Sequence, residues 1–328
     1  MNRIALACLV PFALTACAPQ EEPAPPPADP PPAAATAEPA PVPAPAPAPT
    51  TEEFAVSADR FADIEVLRYQ VPGFEALPLS QKKLAYFLSQ AALAGHDIIW
   101  DQNYVHNLRV RKALAVVVET WPGDRADPDY QALLTYAKRV WFANGIHHHY
   151  SNRKFEPGFS ETAFREMVLA SAAARLPLDE GMDPAGLVDL LTPVIFDPAV
   201  APQNVNLTPG EDLLVTSATN YYRDVTQAEA EAFYAERIDP DDPRPISWGL
   251  NSQLVKEDGE LVERVWRIGG MYGPALEQVT FWLEQAVPVA ENDAQRAWLE
   301  KLIAYYRSGD LSDFDDYNVA WVRDTDSR

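Results

Sequence analysis

The histidines are the residues of this sequence best suited to metal or acid–base chemistry, and three of the five are adjacent. His147, His148 and His149 lie in the stretch NGIHHHYSNRKF, residues 144–155. A zinc peptidase helix of the H-E-x-x-H type holds two histidines one turn apart with a glutamate between them. No histidine here begins that pattern. On an extended loop only His147 and His149 would share a side, which gives two ligands and not three.

A third ligand would have to come from another part of the chain. Glu156 or His106 could serve, but nothing in the sequence favours either. The alternative is a loop whose histidines pack against neighbours or form hydrogen bonds to the backbone. The sequence leaves both interpretations open.

Other familiar catalytic patterns are missing or weak. The glutamates of AEAEAFYAER lie in a predicted helix, where Thr226 and Glu229 form a capping box and the rest face solvent. No G-x-S-x-G sequence occurs, so a serine nucleophile on a sharp strand-to-helix turn is not indicated. The residues alone therefore define no complete catalytic site.

The first residues, 1–17, have the order of an export signal: a basic start, a short apolar run and the sequence LTAC. LTAC resembles the lipobox of bacterial lipoproteins, which predicts that Cys17 is lipidated after cleavage; a plain signal peptide is the alternative. The other cysteine, Cys8, lies within the signal, so the mature chain has no partner for a disulfide. Ala18 and Pro19 follow Cys17 and lack the aspartate of inner-membrane retention. We therefore expect an exported protein anchored to the outer membrane and facing the periplasm.

The next segment, residues 18–56, is composed mainly of proline, alanine, glutamate and threonine. Such a composition favours extended, unpacked chain and predicts a disordered tether. Residues 57–328 then form the folded region. The formal net charge of −22 repels phosphate backbones, so we expect no nucleic-acid partner.

Apolar periodicity in the folded region predicts helices. One begins near a Ser80 N-cap and ends at Gly95, and another begins at an Asp127 N-cap and ends at Asn144-Gly145. The histidine run therefore starts where a helix stops. Further helices are predicted in QAEAEAFYA, PALEQVTFWLEQAV and NDAQRAWLEKLIAYYRSG.

A hairpin interrupts this pattern. Asp258-Gly259 between two alternating segments predicts strands near residues 253–257 and 260–268. The predicted fold class is α+β, predominantly helical with a small sheet or barrel element. The end of the sequence, DDYNVAWVRDTDSR, gives no closing element, and we expect the folded region to be truncated there.

Several long segments resemble one family. ADRFADIEVLRYQVPGFEALPLSQKKLAYFLSQAALAGHDI, RVWFANGIHHHYSNRKFEPGFS, TPVIFDP and PISWGLNSQLVKEDGELVERVWRIGGMY are similar to the N-terminal part of bacterial dipeptidyl peptidase III enzymes, as is AENDAQRAWLEKLIAYYRSGDLSDFDDYNVAWVRDTDSR. The resemblance covers residues 58–328. It implies a zinc peptidase that releases dipeptides from the N-terminus of short peptides, with two lobes around a cleft.

The resemblance does not include the residues that bind zinc in that family. The H-E-x-x-x-H and E-E-x-x-A motifs that hold zinc in that family do not occur here. The resemblance therefore implies the lower, substrate-groove lobe, whose partner would be an upper lobe of the same polypeptide. We expect zinc in the complete enzyme, and none in this chain alone, which would then hydrolyse no dipeptidyl substrate.

One substrate contact is implied by the resemblance. The family's lower lobe presents an aromatic residue to the bound peptide, and counting back from Lys154-Phe155 places it at Tyr150, with His149 beside it. The alternative for Tyr150 is a packing role. The alternative function for the chain is a non-catalytic envelope lipoprotein that binds peptides or a protein partner.

Overall fold

A computed structural model of the chain describes residues 54–327. The predicted signal at residues 1–17, the Cys17 lipidation site and nearly all of the predicted tether lie outside these residues. The described part consists mostly of helices with two small sheets, which confirms the predicted α+β class. None of the helices in this part has the length and apolar character that a membrane span requires.

The helices are numbered in chain order. They are α1 (Leu79–Ala94), α2 (His96–Asn103), α3 (Asn107–Thr120), α4 (Pro128–Ala143), α5 (Glu161–Ala170), α6 (Pro184–Phe196), α7 (Leu213–Thr216), α8 (Gln227–Ala235), α9 (Gly273–Ala286), α10 (Asp293–Ser308) and α11 (Leu311–Arg323).

The strands form two separate sheets. They are β1 (Ser57–Phe61) and β2 (Ile64–Leu67), which pair antiparallel, and β3 (Tyr222–Arg223), β4 (Ser252–Glu257) and β5 (Glu260–Val265). In the second sheet β3 is parallel to β4, and β4 is antiparallel to β5.

Most of the predicted element ends are confirmed. Asp127 caps α4 by accepting hydrogen bonds from the backbone N–H groups of Asp129 and Tyr130. The Thr226–Glu229 capping box begins α8. The hairpin turns at Asp258 and Gly259, whose φ angles of 51° and 90° suit the tight turn that an Asp-Gly pair favours.

Two boundary predictions are wrong. The N-cap of α1 is Pro78 and not Ser80, since the helix already begins at Leu79 and no side chain caps it. Pro78 has an extended ψ of 149°, and its ring presets a φ suited to a helix entry. β5 ends at Val265 and not at residue 268, because the chain turns at Gly269, whose φ is 75°.

The core is divided into three clusters. The largest lies among α2 to α6 and includes fully buried Leu114, Leu133 and Phe164. A second joins α1, α9 and α10 through residues such as Leu283 and Leu299. A smaller one packs α8 against the three-stranded sheet around Leu254. The largest cluster surrounds α4 and so fixes the helix whose end begins the histidine loop.

Candidate peptide-contacting site

The histidine loop begins at a well-defined helix end. Asn144 adopts the left-handed conformation with φ 54°, which asparagine tolerates better than most residues. The backbone N–H of Gly145 donates to the carbonyl oxygen of Val140 at 3.0 Å, which closes the last turn of α4. The predicted Asn144-Gly145 stop is confirmed.

A buried asparagine on α3 anchors the first residues of the loop. Asn107 is fully buried, and its Oδ1 accepts a hydrogen bond from the backbone N–H of Ile146 at 3.1 Å. Gly145 passes so close that a Cβ atom there would lie 2.4 Å from Asn107 Nδ2. On the other side, Asn103 Nδ2 donates to the carbonyl oxygen of Asn144 at 3.1 Å.

His147 points inward and is a structural residue. Its side chain is almost completely buried, and Nε2 lies 2.8 Å from the carbonyl oxygen of Ala201. A carbonyl oxygen only accepts, so Nε2 bears the proton. Burial lowers the pKa of His147 to about 4, and the imidazole is therefore neutral near pH 7.

His148 braces the turn that follows. Its Nδ1 accepts hydrogen bonds from the backbone N–H groups of Tyr150 at 3.1 Å and Ser151 at 3.2 Å. Nδ1 is therefore unprotonated, and Nε2 faces Asp63 Oδ2 at 3.8 Å. The backbone of His148 also pairs with Arg153 through an N–H to O contact of 2.8 Å.

His149 and Tyr150 are the exposed residues of the run. The His149 ring centroid lies 4.6 Å from that of His148, 4.3 Å from that of Tyr150 and 5.1 Å from that of Phe142. Tyr150 is 83% exposed. We call Phe142, His149 and Tyr150 the aromatic platform. Burial against its neighbours lowers the pKa of His149, which favours its neutral form.

The loop is a tight turn and not an extended segment, so the expected pairing of His147 with His149 on one side is wrong. His148 and His149 stack instead, and His147 is buried. His147 Nε2 and His148 Nδ1 are both engaged in hydrogen bonds with backbone groups. Among residues 54–327 no group of three His, Cys, Asp or Glu side chains is arranged to hold a metal ion. These residues therefore do not fit zinc.

Lys154 ties the far end of the loop to the segment after α6. Its Nζ donates to the carbonyl oxygens of Asp197 at 2.6 Å and Val200 at 2.9 Å. Burial lowers the pKa of Lys154 to about 8. The loop is thus held at both ends, and the aromatic platform is presented on a fixed turn.

A small polar pocket of about 190 Å³ lies beside the loop. Asn103, Asn152 and Asn204 line it together with the three histidines. The sequence interpretation missed these asparagines. Asn152 has φ 59°, and asparagine after Ser151 was a recognisable turn signal. Asn103 and Asn204 are far apart in sequence, and no local pattern brings them together.

One comparison with known proteins concerns the C-terminal part of the sequence. Residues 251–328 match the model of a known family. That family is peptidase family M49. The predicted resemblance to a peptidase family is confirmed by this match. It spans β4, β5 and α9 to α11, and the histidine loop lies outside it.

Two solved structures are also similar to this chain. One is dipeptidyl peptidase III from Caldithrix abyssi, with 16% identity and a TM-score of 0.46 over 79% of this chain and 35% of that one. The other is dipeptidyl-peptidase III from Corallococcus sp. strain EGB, with 18% identity and a TM-score of 0.45 over 77% and 34%. The chain thus spans about a third of the length of these two proteins. No curated protein matches it.

Proposed function

We propose that the histidine-loop region is the peptide-contacting part of a zinc-dependent dipeptidyl peptidase, which releases dipeptides from the N-terminus of short peptides. The M49 match of residues 251–328 supports a peptidase-related role. The M49 match does not include Tyr150 or His149, so their role as peptide contacts rests on the loop geometry and on the sequence resemblance.

The observation on which the proposal depends is the exposed aromatic platform. Tyr150 and His149 expose large flat rings to solvent, although the loop under them is fixed by buried hydrogen bonds. A ring held in place before binding loses little conformational freedom when a ligand covers it, and aromatic side chains are strong contributors to binding. A short peptide is a suitable ligand for such a surface.

The role that we assign to residues 54–327 is binding and orientation. Their side chains do not fit zinc, so no chemical step is assigned to them. In the complete peptidase the metal would be held by other residues.

The location of the protein is part of the proposal. We propose export through the signal at residues 1–17, lipidation of Cys17 and attachment to the outer membrane. The sequence LTAC followed by Ala18-Pro19 supports this placement. The acidic composition makes a nucleic acid an unsuitable partner.

Peptide binding to the purified chain tests the proposal. Tyr150→Ala should weaken binding of an unmodified hexapeptide by about fivefold, because an exposed anchor ring is lost. Tyr69 is the matched control, since it is 82% exposed and lies outside the loop, and Tyr69→Ala should leave the dissociation constant unchanged. Equal binding by the wild type and the Tyr150→Ala chain would overturn the proposed site.

A second measurement separates the peptidase from the alternative, a non-catalytic envelope lipoprotein. Deleting the gene should reduce the release of dipeptides by envelope fractions from short peptides. Unchanged release, together with peptide binding by the chain, would favour the non-catalytic lipoprotein.

A further inference from the structure

The polar pocket beside the aromatic platform has a defined hydrogen-bonding character. It is formed where α2 ends, where α4 ends and where the turn at Asn152 approaches Asn204. Its volume of about 190 Å³ is enough for one side chain of a ligand. The polar side chains around it are carboxamides and imidazoles.

The orientation of two carboxamides follows from their partners. Asn204 Nδ2 donates to the carbonyl oxygen of Asn103 at 2.8 Å, and Asn103 Nδ2 donates to the carbonyl oxygen of Asn144 at 3.1 Å. A carbonyl oxygen accepts only, so the amino group of each side chain must face it. The Oδ1 atom of each side chain is left as an acceptor, and no donor among residues 54–327 forms a hydrogen bond to either oxygen.

Asn152 supplies the third carboxamide of the pocket, and its side chain is not used in holding the fold together. Its backbone N–H donates to the carbonyl oxygen of His148 at 3.0 Å, and its own carbonyl accepts from the N–H of Asn204 at 2.8 Å. The side chain forms no hydrogen bond within the described part of the chain. The left-handed backbone at Asn152 therefore sets the turn, while its side chain is available to a ligand.

The charges around the pocket favour a ligand group that is positive or neutral and donates hydrogen bonds. No lysine or arginine lines the pocket. His147 is neutral near pH 7 because burial lowers its pKa to about 4. The whole sequence has a formal net charge of −22, which attracts cations and disfavours an additional carboxylate. The free acceptors and this field together select ligand groups that have N–H donors.

We infer that this pocket binds one N–H-bearing side chain, an ammonium, guanidinium or carboxamide, of a peptide whose neighbouring residues cover the aromatic platform. The inference rests on the proposed function, since it assigns a specificity to the same surface. Asn152 is the specificity-determining residue, and the oxygens of Asn103 and Asn204 complete the acceptor set. A carboxylate side chain would face the acceptor oxygens of Asn103 and Asn204, and among these three carboxamides only Nδ2 of Asn152 could donate to it, so it would bind more weakly than a group with N–H donors.

Pentapeptides of sequence Gly-Ala-X-Ala-Gly provide the probes, with X as Lys, Gln, norleucine or Glu. Titrations are followed by backbone amide shifts of the labelled full chain. The Lys and Gln peptides should bind about fivefold more tightly than the norleucine peptide, which corresponds to one hydrogen bond. The Glu peptide should bind most weakly.

Two substitutions of Asn152 make the test specific. Asn152→Gly removes one of the three carboxamides at a left-handed position that glycine adopts without strain, and it should reduce the preference for Lys and Gln. Asn152→Asp should increase affinity for the Lys peptide alone, because it adds a negative charge. Asp258→Gly is the matched control, a left-handed position with φ 51° in the β4–β5 hairpin, and should change nothing.

The possible failures are distinguishable. If the wild type binds all four peptides equally and Tyr150→Ala weakens them all, the subsite inference is wrong and the proposed function stands. If Asn152→Gly keeps the full preference for Lys and Gln, the inference is likewise overturned. If the wild-type chain binds none of the peptides, both the proposed function and the subsite fail.

Discussion

Replacing Gly145 by alanine should destabilise the protein mainly through one close contact, at a backbone position whose φ of 158° already disfavours a side chain. The added Cβ would lie 2.4 Å from Nδ2 of Asn107, a residue with no room to withdraw because it is fully buried. Moving Asn107 would also break its hydrogen bond to the N–H of Ile146. The substitution therefore combines overpacking with loss of a buried polar contact.

The expected loss follows from these two effects. Overpacking of a filled interior costs about 1–3 kcal/mol, and an unsatisfied buried N–H costs a similar amount. Partial relaxation makes the sum smaller than the two maxima, so we expect about 2–4 kcal/mol. For a domain of this size that corresponds to a decrease in Tm on the order of 5–10 °C.

Urea unfolding followed by circular dichroism measures the change. Gly158→Ala is the matched control: its Cβ would meet Ala132 Cβ at 3.5 Å, an ordinary contact. We expect that variant to remain within about 0.5 kcal/mol of the wild type. If Gly145→Ala also lay within that range, Asn107 would not be the rigid anchor of the histidine loop.

Three further predictions concern His147, Tyr272 and Cys17. The folded-state pKa of His147, about 4, is below its usual value of 6.5, so the stability it contributes is complete above pH 6.5 and is lost as the pH falls towards 4. Between pH 7 and pH 5 the free energy of unfolding should decrease by about 2 kcal/mol. The variant His147→Gln keeps a donor for the carbonyl oxygen of Ala201 but does not titrate, so its free energy of unfolding should depend less on pH. Tyr272→Phe removes the 2.6 Å hydrogen bond from the Tyr272 hydroxyl to Asp101 and should cost about 1–2 kcal/mol in urea unfolding; an unchanged midpoint would contradict this. Cys17→Ser should eliminate labelling of the protein by radioactive palmitate in growing cells, and persistent labelling would refute the predicted anchor.

Local signals were sufficient to predict several ends of helices and strands. Asn144-Gly145, the Thr226 capping box and the Asp258-Gly259 turn each depend on the conformational preference of a few adjacent residues, and all three are confirmed. Ser80 is not the N-cap because α1 already begins at Leu79, directly after Pro78, whose ring presets a φ suited to a helix entry.

Contacts between residues far apart in the sequence could not be predicted from local patterns. The pair of Asn204 and Asn103 is separated by 101 residues, and the bond between His147 and Ala201 by 54. Alternation along an extended strand predicted which histidines share a side, but the hydrogen bonds accepted by His148 Nδ1 turn the chain at once. Side-chain direction in this loop is therefore set by the local bonds that His148 accepts and by the long-range bond of His147 to Ala201, and the alternation of an extended strand predicts neither.

Photo-crosslinking tests the central claim most directly. A hexapeptide with a benzophenone side chain is incubated with the wild-type chain, irradiated, and the attachment sites are identified by mass spectrometry. We expect attachment within residues 142–152, around the aromatic platform, and expect excess unlabelled peptide to reduce it. Attachment that is competed away by unlabelled peptide but lies elsewhere on the chain would contradict it.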